Sequence, residues 1–345
     1  MKFLRDLEIK IRSNCRIFKP LNNGKINMYT TELINNFKEI FAKNNIRIIA
    51  HRSPDGDTLG SCFALCEALK LSGKNAEVVC SDKVTEKLTI LTDGKTELSP
   101  TFEPDCIVTV DVATAELLGK TYSEIAAEVD YAIDHHYTHK NFAKKTLLDG
   151  DCSSAGEFLF NLFEQAEIQL NTQIAKLLYA AISSDTGSFK FSNTTPNTHI
   201  AAAKLLKYGI ETENITKILF DEASIDYIKF ECDVINKMKI YDEKIVFLSV
   251  TKEMMAKNNI KENETDGLAY LLRRIPGAEI GATLRESDGK IRISLRSFGD
   301  KNVAEIAAKF DGGGHIKAAG CSFKGDIEEA EKALLEEIRK AFNRI

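Results

Sequence analysis

His51-Arg52-Ser53-Pro54-Asp55-Gly56-Asp57 follows directly on the apolar run Ile46-Arg47-Ile48-Ile49-Ala50. The β-branched run reads as a buried strand, and Pro54 with Gly56 reads as the tight turn that ends it. The pattern recurs along the first half of the chain. Asp111 follows Cys106-Ile107-Val108-Thr109-Val110, Asp134-His135-His136 follows Tyr131-Ala132-Ile133, and Asp185 ends Ala180-Ala181-Ile182-Ser183-Ser184. All four groups are expected at strand ends. In an open parallel α/β sheet the carboxyl ends of the strands form one edge, and ligands bind there. Carboxylates gathered at one edge repel each other, and divalent cations are what such a set holds.

Working outward, strands are expected near 46–50, 76–80, 106–110 and 130–134, with helices near 58–72, 154–168 and 171–183. This alternation implies a doubly wound parallel α/β domain over residues 29–210. Residues 211–242 carry helical periodicity with many charges, and over 211–240 neither proline nor glycine; they read as a helical connector. A smaller α/β domain is expected over 243–345, starting at Ile245-Val246-Phe247-Leu248. It contains a hairpin centred on Asp288-Gly289 and ends in a charged helix from about 326. Residues 1–28 read as a basic extension, and Met28, just before the first helical pattern, is an alternative start.

Composition narrows the class. The 345 residues carry 46 Lys and Arg against 51 Asp and Glu, a formal charge of −5 that argues against a broad surface for duplex nucleic acid. No apolar stretch is long enough to span a bilayer, and no signal peptide is legible, so a cytoplasmic protein is expected. The eight cysteines form no Cys-x-x-Cys pair and read as reduced core thiols.

The ligand types suit a pair of divalent ions a few ångströms apart. His51 and Asp55 can serve one ion from a single loop, Asp57 and His135 the other, with Asp111 bridging and Asp185 in support. Mixed imidazole and carboxylate ligands fit manganese better than calcium and leave zinc, iron, magnesium and cobalt open. Taken singly, Asp111 and Asp57 also read as helix N-caps. Taken together, the groups read as a metal centre. His139 and His199 have no partner motif and read as structural or exposed.

These segments resemble the four motifs of the DHH phosphoesterase superfamily, and Gly312-Gly313-Gly314-His315-Ile316-Lys317-Ala318-Ala319-Gly320 resembles the signature of its associated C-terminal domain. The two-domain layout is most similar to the bifunctional oligoribonuclease and pAp phosphatases. The resemblance implies two Mn²⁺, with Mg²⁺ or Co²⁺ as substitutes. One ion would be held by His51, Asp55, Asp111 and Asp185, the other by Asp57, Asp111, His135 and Asp185. By the same mapping His136 contacts the scissile phosphate and Asp134 orients a ligand, so Asp111, Asp134 and His136 are the catalytic candidates. Arg296, Gly313, Gly314 and His315 are the substrate-binding candidates, across an interdomain cleft. Expected substrates are short RNA, dinucleotides and pAp, hydrolysed to nucleoside 5′-monophosphates or to AMP and phosphate. A homodimer is an expected assembly. The rival readings are a cyclic-dinucleotide phosphodiesterase, an inorganic pyrophosphatase, a RecJ-type exonuclease and a nucleotide sensor that does not hydrolyse.

Overall fold

The computed structural model describes residues 28–343; the expected basic extension lies, but for Met28, outside the described residues. Two compact units divide at Glu222 and Ala223.

The first unit is built on a five-stranded parallel sheet in the order β2-β1-β3-β4-β5. Its strands are β1 (Asn45–Ile49), β2 (Asn75–Val79), β3 (Cys106–Val110), β4 (Tyr131–Asp134) and β5 (Lys145–Leu148). Register runs Ile48↔Val78 on one side of β1 and Ile48↔Val108 on the other. The chain reverses direction of winding between β1 and β3, the position where an open sheet leaves a crevice beyond its carboxyl edge. Helices α1 (Thr31–Phe41), α2 (Gly56–Leu71), α3 (Ala155–Ala166), α4 (Thr172–Asp185) and α5 (Pro196–Leu206) build the larger core, joining Ile46, Ile48 and Val108 to Leu65, Phe158 and Leu178. A second, smaller core carries Ile49, Val79 and Ile107 against short helical turns that contribute Leu118, Tyr122 and Ala126. The alternation of Ile48 and Ile49 between these cores is the pleat of a strand buried on both sides.

The helix expected near 171–183 is α4, and it takes in the run 180–184, so Asp185 ends a helix and not a strand; residues from Ile174 to Ser183 are buried almost without interruption. A fully apolar stretch of this kind is helix or strand by composition alone, and the Asn171 cap, which accepts the Ile174 amide, starts a helix that runs through it. Edge strand β5 has only Leu147 buried, too weak a pattern to read from sequence.

The second unit carries a six-stranded sheet, β10-β11-β9-β8-β7-β6. Its strands are β6 (Lys239–Tyr241), β7 (Ile245–Val250), β8 (Ile280–Ser287), β9 (Lys290–Ser297), β10 (Gly313–His315) and β11 (Ala318–Phe323). The expected Asp288-Gly289 hairpin joins β8 to β9, both residues at positive φ (42° and 74°) as a two-residue turn requires. The expected connector divides between the units. Ile215 packs into the first core, whereas α6 (Ile225–Asn236) buries Phe230 and Val234 against Val246 and Leu248 of the second. The closing helix, Ile327–Asn343, packs Ala330, Leu334 and Ile338 on the other sheet face.

Candidate metal centre

The candidate centre is assembled where α2, α3 and α4 approach closely. Gly60 is what permits it: a Cβ there would sit 2.6 Å from the Leu177 carbonyl oxygen of α4. Asp55 is the N-cap of α2, its Oδ1 accepting the Thr58 amide at 3.0 Å. Asp57, one of the two N-cap candidates, lies inside the first turn instead. It is buried, and its oxygens accept the amides of Ala155 (2.8 Å) and Gly156 (3.0 Å) at the start of α3 and the Ser61 hydroxyl at 3.1 Å.

Asp111 is not an N-cap either. It follows β3 at φ 63°, a left-handed conformation that Asp tolerates better than most side chains. Its Oδ2 accepts the Thr58 hydroxyl at 2.6 Å, and its buried Oδ1 accepts no hydrogen bond. Asp185, at the end of α4, faces the same space. His135 Nε2 stands 3.5 Å from Asp111 Oδ1, 3.7 Å from Asp57 Oδ2 and 3.8 Å from Asp185 Oδ2. His51 Nε2 stands 3.6 Å from Asp111 Oδ2. In both histidines Nδ1 meets a backbone carbonyl, Arg52 for His51 (2.7 Å) and Cys152 for His135 (3.3 Å). A donor at Nδ1 leaves the Nε2 lone pair free to ligate.

These residues fit a metal. Ligand atoms of His51, Asp55 and Asp111 lie within 4.8 Å of one another, as do those of Asp57, His135 and Asp185, and those of Asp111, Asp134, His135 and His136. Asp111 directs one oxygen at each imidazole, and its Oδ1 is a buried acceptor with no donor. Electrostatics agrees. Burial raises the pKa of Asp57 well above the carboxylate range, and Asp111 and Asp185 add to it. Burial pushes Asp185 up to about 6. Burial opposes charge on His135, but the adjacent carboxylates of Asp111, Asp57 and Asp185 carry it to about 10. The same histidines hold Asp111 down against its own burial. A cation would balance this set.

Asp134 stands behind His136. Its Oδ1 accepts His136 Nδ1 at 2.7 Å and the His135 amide at 2.8 Å, while Oδ2 accepts His139 Nδ1 at 2.7 Å. His139 is therefore no idle histidine: its side chain is fully buried and completes the Asp134 anchor. Its spacing three residues after His136 was the available signal. Asn193, with no such signal, donates to the Asp185 carbonyl at 3.1 Å and the Ser153 carbonyl at 2.9 Å. His199 stacks on Phe189.

The substrate-binding candidates lie in the second unit. Arg296, Ser294 and Arg292 project from alternate positions of β9 into a cavity of about 1000 Å³ that Gly312, Gly320 and Lys324 also line. The glycines differ in kind. A Cβ on Gly312 would meet the Gly320 carbonyl at 2.3 Å, and one on Gly314 the Ala318 carbonyl at 2.6 Å, so both are required by the β10–β11 pairing. Gly313 has open space at that position. The His315 side chain lies outside the described residues.

Residues 45–182 match the DHH family, N-terminal domain, and residues 242–344 match the DHHA1 domain. A Thermus thermophilus protein named bifunctional oligoribonuclease and PAP phosphatase NrnA is 28% identical over 313 residues, 87% of this chain and 90% of that one. The Bacillus subtilis protein of the same name is 26% identical over 89% of this chain and 96% of its own. Among solved structures, an exopolyphosphatase-related protein from Bacteroides fragilis superposes with a TM-score of 0.85 at 26% identity, covering 92% of this chain and 98% of its own. The motif residues, the parallel sheet that gathers them and these likenesses agree: the chain belongs to the DHH phosphoesterase family, a DHH N-terminal domain followed by a DHHA1 domain.

Proposed function

We propose that the chain hydrolyses short oligoribonucleotides to nucleoside 5′-monophosphates, and pAp to AMP and phosphate, with two divalent cations, Mn²⁺ first. The observation that carries this reading is the placement of Asp111, one oxygen toward the His51 set and one toward the His135 set. His51, Asp55, Asp111 and Asp185 would hold one ion, and Asp57, Asp111, His135 and Asp185 the other. When bound, such a pair lowers the pKa of water and stabilises charge developing on phosphate oxygens. The relatives named for oligoribonuclease and PAP phosphatase activity support the substrate class.

The protein's own contribution is positioning. Asp134 takes the His136 Nδ1 proton side, so the opposite ring nitrogen, Nε2, is the one available to a nonbridging phosphate oxygen. The Asp134 carboxyl is held far below its usual range by His136 and His139 in spite of burial, and it raises the pKa of His136 in turn, although the burial of that imidazole works the other way. Through Nε2 His136 can donate a hydrogen bond to a phosphate oxygen. In the second unit, Arg296, Gly313, Gly314 and His315 would receive the nucleotide end of the substrate.

A Mn²⁺-supplemented assay of pAp, a ribodinucleotide, a five-residue RNA and cyclic di-AMP tests this. Turnover of the first three is the expected result. A clear preference for cyclic di-AMP would move the chain to the cyclic-dinucleotide phosphodiesterases, and binding without turnover of any of them would make it a sensor.

A further inference from the structure

Tyr137 follows His136 directly and is 78% exposed, more than any other phenylalanine or tyrosine among the described residues. Exposed rings ordinarily sample several rotamers; this one is fixed. Its hydroxyl donates to Asp151 Oδ1 at 2.6 Å. The ring lies so close over Gly150 that a Cβ there would meet Cε1 at 2.5 Å and Cδ1 at 2.6 Å. The ring is packed against the Gly150 backbone and still leaves most of its surface open to solvent. The loop underneath is anchored as well. Asp149 Oδ1 accepts the Asp151 amide at 3.0 Å, Asp149 Oδ2 accepts the Tyr29 hydroxyl at 2.8 Å, and the Cys152 carbonyl meets His135 Nδ1 at 3.3 Å. Ring and candidate ligand share one foundation.

We propose that Tyr137 is the stacking platform for the nucleobase next to the scissile phosphate, an inference that rests on the reading of this site as a nucleotide hydrolase. Charge sorts the parts of the ligand. Asp151, bound to the ring's hydroxyl, and Asp149, which accepts the Asp151 amide, repel a phosphate but not a neutral base, while His136, one residue away, attracts the phosphate. A base stacks on tyrosine through its π-face, which every base has, so the platform selects a nucleotide without selecting its sequence. Holding the ring in place beforehand reduces the ordering cost on binding.

A purely structural role, in which Tyr137 ties the His136 turn to the loop at 149–152, is separated from stacking by two variants and a spectroscopic probe. The probe is 2-aminopurine riboside 5′-monophosphate added to the full, Mn²⁺-loaded chain. Its fluorescence is expected to be quenched on binding to the wild type and to Tyr137→Phe, which keeps the ring and loses the tether. Tyr137→Ala is expected to abolish the quench and weaken binding about tenfold or more, with inhibition by ribose 5-phosphate, which has no base, unchanged. A wild-type quench in Tyr137→Ala would overturn the assignment. So would an equal loss of ribose 5-phosphate and nucleotide binding, since the ring would then act only through the loop. Failure of the parent reading looks different: the wild type would neither bind the probe nor turn over any nucleotide, and both proposals would fall together.

Discussion

The Asp57 carboxylate accepts the Ala155 amide at 2.8 Å although 98 residues separate the two. Its other oxygen takes the Gly156 amide, so the N-terminus of α3 is aimed at a carboxylate on the first turn of α2. That arrangement favours the charged form. Burial and the neighbouring Asp111 and Asp185 act against it and prevail. The pocket is thus held together by contacts that fix geometry and opposed by charges that need a counter-ion. Folding and metal loading are linked wherever a site has this character.

Asp185→Asn follows from that balance. Removing one carboxylate relieves repulsion in the metal-free pocket, so the variant should melt at or above the wild-type temperature in EDTA. In saturating Mn²⁺ the wild type should gain several degrees and the variant should lose most of that gain. Thermal melts of both proteins in both buffers check this. An identical Mn²⁺-induced rise in the two would remove Asp185 from the metal set.

Metal loading should release protons. His135, carried to about 10, is an imidazolium in the metal-free protein at neutral pH, and only neutral imidazole ligates. Mn²⁺ affinity should therefore rise with pH. Calorimetric titrations at pH 7.5 in buffers of different ionisation enthalpy should give different apparent heats. The stability of the metal-free protein has a definite sign as well. His135 binds its proton more tightly folded than unfolded, so its contribution is complete below about 6.5 and is lost as pH climbs through about 10. Asp185, raised from 3.8 to about 6, acts in the same sense between those values. Stability in EDTA should fall as pH rises through these windows, and Mn²⁺ should flatten or reverse the trend. Buffer-independent heats would contradict the proton-linked picture.

His139→Ala should separate positioning from ligation. The substitution leaves Asp134 Oδ2 without its imidazole donor and opens a buried void, at a stability cost of about 2–4 kcal/mol. His136 should then lose its fixed orientation. The expected outcome is unchanged Mn²⁺ stoichiometry by elemental analysis with kcat reduced at least tenfold. Loss of metal together with activity would show that His139 supports the metal set and not the phosphate-facing histidine.

Much of this candidate centre is legible in the sequence. His51, Asp55, Asp57, Asp111 and Asp134-His135-His136 stand where a strand stops, because a parallel sheet sends each of those strands out at the same edge. Asp185 was found for a partly mistaken reason. Its apolar run is helix, and α4 reaches the edge from above because Gly60 lets it pack within backbone contact of α2. Nothing in a single sequence reports that approach. Thr58 and Asn193 escaped for another reason: they touch the candidate ligands only through hydrogen bonds, which leave no periodicity in a sequence, and His139 offered only its spacing after His136. Within the glycine run, Gly312 and Gly314 are glycine because a neighbouring strand lies against them.

That division within the glycine run can be tested directly. Gly314 sits at φ 144° with the Ala318 carbonyl 2.6 Å from any added Cβ. Gly314→Ala should cost about 1–3 kcal/mol from backbone strain alone and lower Tm accordingly. Gly313→Ala points its methyl into open space and should leave Tm within about a degree of wild type. If Gly313 faces the nucleotide, the added methyl should raise KM for a ribodinucleotide several-fold while sparing bis-p-nitrophenyl phosphate, whose hydrolysis needs only the metal centre. Melting curves and paired kinetics on the two substrates decide it. A Gly313→Ala enzyme with wild-type KM for both would place the nucleotide elsewhere on the second unit, with Arg296 and the cavity along β9 as the surface to examine next.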